Sequence, residues 1–109
     1  YVATYAIKVA RIRQGTQRVR LAGRCDSACT LYLGLPRKNV CIQQGAYFRF
    51  HKASARSART TAAATRYLMQ NYPGWVKSWI AANGGLTTSL KTMDFSYASK
   101  FLPVCGRAA

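Results

Sequence analysis

A chain of 109 residues supports a single small domain, residues 1–109, with one core and little stability to spare. Half of the residues are hydrophobic and 12% are aromatic, which excludes a disordered basic tail and points to a globular fold. Seventeen Lys and Arg against two acids give a net charge of +15, a field that attracts acidic partners and repels basic ones.

In chain order, Val2, Tyr5, Ala6, Val9 and Ile12 recur at helical spacing, with Lys8, Arg11 and Arg13 on other faces and Gly15 as the stop. Arg18–Ala22 alternates polar and apolar residues as a half-buried strand does, and Gly23 ends it. After a short connection, Ala28–Leu33 reads as a buried helix stopped by Gly34 and Pro36. Val40–Ile42 is a short strand candidate. Ala46–His51 is a clearer strand, with Ala46, Phe48 and Phe50 on one face and Tyr47, Arg49 and His51 on the other. The polar, basic stretch Lys52–Thr61 reads as a loop leading into a helix near Ala62–Asn71. Its Lys52, Arg56 and Arg59, with Arg66 beyond, belong either to a flexible loop or to an electropositive lip that selects anionic substrates at the site entrance. Pro73 suits the first turn of a helix that carries Val76, Trp79 and Ile80 inward and is capped by Gly84-Gly85. A last short helix is predicted near Ser96–Leu102. Helices thus alternate with strands, which implies an α/β fold.

Four cysteines in so small a chain fit an oxidising compartment, and they allow three complete pairings. Cys25, Cys29, Cys41 and Cys105 are the disulfide candidates, with Cys105 expected to join the C-terminal tail to the body. Alternatives are a zinc site from Cys25, Cys29, Cys41 and His51, and a catalytic cysteine paired with His51. The C-x3-C spacing lacks the C-x2-C geometry of zinc knuckles, so no metal or cofactor is expected. No stretch reaches the roughly 18 apolar residues of a membrane span, and no signal peptide is visible, as in a mature or trimmed chain.

Acid–base chemistry must draw on few groups: one histidine, His51, and two carboxylates, Asp26 and Asp94. Paired-carboxylate glycoside hydrolysis is therefore poorly supported. Ser27 lies between a strand and a helix, where a hydroxyl sits near free helix N–H groups able to stabilise an oxyanion, Ala28 being the first candidate. Ser27 also reads as a plain helix N-cap. His51 ends the next clear strand, and parallel strands would bring it beside Ser27. Asp94 is the better-placed orienting carboxylate, because Asp26 adjoins the nucleophile in sequence.

Gly23-x-Cys25-x-Ser27-Ala28-Cys29-Thr30-Leu31 followed by Ala46-x-Phe48-x-Phe50-His51-Lys52-Ala53 resembles small exported Clp-protease-like proteins of bacteria, in the Clp-protease/crotonase superfamily. In that family a serine opens a buried helix and a histidine ends a strand about two dozen residues later. Positions 27 and 51 are 24 apart. The resemblance implies a small parallel-type sheet flanked by helices, and a triad of Ser27, His51 and Asp94, since Asp94-Phe95-Ser96-Tyr97-Ala98 is similar to the family's acidic segment. The family's N-terminal strand and Gly-Gly oxyanion loop are not among these residues, so either the domain is N-terminally truncated or the protein functions without them. Cys25 and Cys29 replace small residues of the peptidase pattern.

Two functions from different classes follow. One is a serine hydrolase of peptidase type in the bacterial envelope, periplasmic or secreted, acting on a peptide or protein substrate and able to form homo-oligomers as superfamily rings do. The other is a non-catalytic basic module that holds an acidic partner: protein, polysaccharide, membrane surface or nucleic acid.

Overall fold

A computed structural model describes residues 2–52 and 58–106. The amphipathic first segment forms α1 (Val2–Gln14), which buries Val9 and Ile12 and partly covers Tyr5 and Ala6. β1 (Val19–Leu21) follows with Leu21 inward. Gly23 has φ +65, a turn that a side chain would strain, and it leads into β2 (Arg24–Asp26). The sequence reading treats β2 as a connection. Its three residues are too few for alternation to be visible.

Ser27–Gly34 is a 3₁₀ helix, with Ala28, Thr30, Leu31 and Leu33 buried. Gly34 lies so close to Asn71 that a Cβ there would meet the Asn71 carbonyl at 2.9 Å. β3 (Val40–Ile42) is buried throughout, and β4 (Tyr47–Phe50) shows the expected faces, with Phe48 and Phe50 inward and Tyr47 exposed. α2 (Ala58–Asn71) begins at Ala58 rather than Ala62; the rest of the expected loop, residues 53–57 with Arg56 among them, lies outside the described residues. α3 (Gly74–Ala82) starts after Pro73, which occupies the N-cap rather than the first turn. Beyond it, Gly84 and Gly85 take positive φ and the Gly85 N–H closes onto Ile80 O at 2.9 Å. β5 (Lys91–Met93) and α4 (Phe95–Ala98) complete the chain of elements.

The fold is mixed α/β, with two small sheets flanked by helices. β1 and β3 pair in parallel, as do β2 and β4. β5 runs antiparallel to β4, so the second sheet is mixed rather than purely parallel. Phe48, Phe50, Leu68, Val76, Ile80 and Met93 meet in the core, α2 and α3 supplying Leu68, Val76 and Ile80. Trp79 packs on Phe50 at 5.4 Å, and Trp75 stacks on Phe101 at 4.8 Å. The tail is bound by a Cys41–Cys105 disulfide, beside a parallel bridge from Ile42 to Val104. Among the described residues no helix is long and apolar enough to cross a membrane.

Candidate active site

Ser27 has φ +51, the one positive φ at a non-glycine position among the described residues. A side chain in that region costs about 1–2 kcal/mol, so surrounding structure must hold it there. Three restraints converge on it. β2 fixes the chain up to Asp26. The Cys25–Cys29 disulfide brackets the turn, with Cα atoms 5.3 Å apart. The Thr30 hydroxyl donates to the Ser27 carbonyl, and Tyr72 OH lies 2.5 Å from the same Thr30 oxygen. Because the Thr30 proton is committed to a carbonyl, the Tyr72 hydroxyl is the donor of that second bond. Both residues are buried, and burial pushes the Tyr72 phenol up to about 12.

Ser27 is not the helix N-cap. Asp26 occupies that position, and its side chain makes no cap hydrogen bond. Its carboxylate is engaged elsewhere, accepting from Arg49 Nε and Nη2, each at 2.7 Å, with Arg24 at 3.4 Å. The hydrogen bonds from Arg49, reinforced by the charges of Arg49 and Arg24, outweigh burial and hold the Asp26 carboxyl below its ordinary value. The first turn after Asp26, which includes the Ala28 N–H, therefore has no side-chain acceptor from the cap.

Parallel pairing sets Asp26 beside Arg49, so Ser27 and His51 leave neighbouring strands at the same sheet edge. Such strands run about 4.8 Å apart. His51 is half-buried, and its Nδ1 is 2.6 Å from the Lys52 carbonyl. A carbonyl only accepts, so Nδ1 is the donor of that bond, and in the neutral ring Nε2 is the nitrogen left with a lone pair. No hydrogen bond joins Ser27 to His51 among the described residues.

Asp94 is placed elsewhere, against the expectation that it orients His51. The antiparallel register pairs Phe48 with Met93, which carries Asp94 past that point to the level of Tyr47. His51 lies four residues further along β4, roughly 13 Å at strand rise. Asp94 caps α4 instead, its Oδ1 accepting from the Tyr97 N–H at 2.9 Å. The carboxylate near His51 is Asp26, and it is held by Arg49.

All four cysteines are oxidised, Cys25 with Cys29 and Cys41 with Cys105, which removes both the zinc and the thiolate alternatives. No group of three metal-ligating side chains occurs among the described residues. The two bridges fit an oxidising environment outside the cytoplasm.

The Asp26–Arg49 pair, Thr30, Tyr72 and the Lys52 carbonyl escape the sequence reading. Arg49 shares the His51 face by strand alternation, and Thr30 falls one 3₁₀ turn after Ser27, so both carry a local signal. Tyr72 is 42 positions from Thr30 and carries none. No protein-family model matches the chain, and no curated protein matches it in sequence.

Proposed function

We propose that the protein is a serine hydrolase of peptidase type working outside the cytoplasm, periplasmic or secreted, with Ser27 as nucleophile and His51 as base. The resemblance to Clp-protease-like proteins of the crotonase superfamily supports this reading. The observation that carries it is the left-handed Ser27 at a strand-to-helix turn, beside β4, whose last residue Phe50 precedes His51.

In this reaction His51 Nε2 takes the Ser27 hydroxyl proton as Oγ bonds to the substrate carbonyl carbon. The negative charge moves to the carbonyl oxygen, where the Ala28 N–H stabilises it. His51 then returns the proton to the leaving amine, and water repeats the sequence on the acyl-enzyme. The Lys52 carbonyl orients the ring in place of a carboxylate. A carbonyl carries no full charge, so the imidazolium formed in the transition state is stabilised less than in a triad, and a slow dyad follows.

Labelling with a fluorophosphonate tests the reading. Wild-type protein is expected to label, with the label lost in both Ser27→Ala and His51→Ala. If folded wild-type protein does not label, the hydrolase reading fails and the basic surface becomes the stronger guide to function.

A further inference from the structure

The excess of cations is not spent evenly. Arg24 and Arg49 meet Asp26, while Arg13, Arg37 and Lys91 donate to the backbone carbonyls of Gly34, Phe101 and Gly85. A groove of about 560 Å³ between α1 and β1 gathers four others: Lys8, Arg11, Arg18 and Arg20. Gln17 and Tyr32 complete its polar lining. Arg11 and Arg18 have no partner among the described residues; Arg20 bonds only to the neutral Gln43, at 2.5 Å, and Lys8 lies over the Tyr5 ring. Both carboxylates of the chain are occupied elsewhere, Asp26 by Arg49 and Asp94 at the α4 cap.

The groove is held in shape. Buried Asn39 donates to the carbonyls of Gly15 and Gln17, which fixes the turn joining α1 to β1 and with it the position of Arg18. Lys8 and Arg11 are one helical turn apart, about 5–6 Å between Cβ atoms. Arg18 and Arg20 alternate onto one face along the chain, about 6–7 Å apart. Two short rows of charge across a concave surface match a linear chain bearing evenly spaced anions better than a flat headgroup surface.

We propose that this groove binds an acidic polysaccharide, one carrying carboxylate or sulfate groups along its length. Two observations favour a glycan over single-stranded nucleic acid. Strand binders stack successive bases on open aromatic rings, whereas the one aromatic here, Tyr32, is engaged edge-to-face by Tyr5 at 5.4 Å. The two disulfides also fit an oxidising compartment outside the cytoplasm and nucleus, away from the bulk of cellular nucleic acid. Gln17 and the protonated Tyr32 hydroxyl, whose pKa burial raises, supply hydrogen bonds suited to sugar hydroxyls. The proposal holds whether or not Ser27 is a nucleophile.

The test measures binding of heparin, polygalacturonate and a single-stranded DNA oligomer across a salt series. Wild type is compared with Arg11→Gln/Arg18→Gln and with Arg66→Gln/Lys77→Gln, which removes the same charge from exposed helical positions elsewhere; circular dichroism checks that each variant is folded. The groove variant is expected to bind both glycans about tenfold or more weakly, with a salt slope shallower by about one to two, while the control changes less than about threefold. Equal weakening in both variants would show a diffuse charge effect and overturn the proposal. So would tighter binding of the DNA oligomer than of either glycan, or no glycan binding at all.

Discussion

Arg49 grips Asp26 through two hydrogen bonds of 2.7 Å, immediately before the chain turns at Ser27. The pair ties β2 to β4 at the edge where Ser27 and His51 emerge, so it bears on the site geometry as well as on stability. The Asp26 carboxyl is held below its ordinary value of 3.8 chiefly by those hydrogen bonds. A depressed carboxyl contributes stability above its unfolded-state value, and that contribution is lost as the pH falls through the lower folded-state value. Asp26→Asn is expected to lower the urea midpoint at neutral pH and to flatten the decline of that midpoint below pH 4. An unchanged acid limb, measured as urea midpoint against pH, would remove Asp26 from this role.

Ser27 keeps a backbone conformation that glycine adopts freely. Ser27→Gly is therefore expected to stabilise the fold by up to about 1 kcal/mol, after allowing for the greater chain entropy of glycine in the unfolded state. Ser27→Ala retains the strain and removes only a hydroxyl with no partner among the described residues, so its stability should change by less than about 0.5 kcal/mol. Both variants should lose fluorophosphonate labelling. Denaturant titration separates strain relief from loss of the hydroxyl. A destabilised Ser27→Gly would show that the serine side chain itself supports the turn.

The buried chain from Tyr72 through Thr30 to the Ser27 carbonyl titrates at high pH. The Tyr72 phenol moves from 10.0 to about 12 because burial disfavours the phenolate. For a group raised in the folded state, stability is full below 10.0 and is lost as the pH rises towards about 12. Two units correspond to about 2–3 kcal/mol, a loss that wild type should show in that window and Tyr72→Phe should not. At neutral pH the same variant should cost about 1 kcal/mol for the missing hydrogen bond. Urea midpoints at neutral and alkaline pH decide the matter.

Legibility in the sequence tracks how local each feature is. α1 and β4 are readable because Val9 and Ile12, or Phe48 and Phe50, repeat with the period of their element. β2 and β5 are three residues each, and Lys91-Thr92-Met93 offers too little apolar contrast to register as a strand. The Ala28–Leu33 run is apolar on most sides, with Thr30 the exception, which indicates burial but cannot separate a 3₁₀ helix from an α-helix. Ser27 and His51 are readable as residues at element ends. The direction of β5 is a tertiary choice, and it decides where Asp94 goes.

The two disulfides should contribute unequally. Cys41–Cys105 closes 64 positions of chain and pins the tail to β3, whereas Cys25–Cys29 closes only four. On loop-closure entropy, removing the long bridge as a Cys41→Ala/Cys105→Ala pair should cost about 4 kcal/mol and the short bridge about 2 kcal/mol. Losing the short one should affect labelling more, because it brackets Ser27 while the long one lies in the other sheet. Thermal melts combined with labelling of the two double variants would reveal whether stability and reactivity part in this way. Equal losses of labelling at equal residual foldedness would deny the short bridge a part in shaping the turn.

Asp94 provides the sharpest separation between a catalytic triad and the arrangement found. Its Oδ1 satisfies the Tyr97 N–H at the start of α4, a bond that an asparagine side-chain carbonyl can also make. Asp94→Asn should therefore leave stability within about 0.5 kcal/mol of wild type, while Asp94→Ala should lose about 1 kcal/mol. Neither should slow fluorophosphonate labelling at temperatures where the protein is folded. A triad carboxylate behaves in the opposite way, since its asparagine variant keeps the packing and loses orders of magnitude in rate. A large loss of labelling rate in a stably folded Asp94→Asn protein would restore Asp94 to the mechanism. It would also require β5 to leave its register with β4 in the reacting state, because the pairing of Phe48 with Met93 holds Asp94 at the far end of the strand from His51.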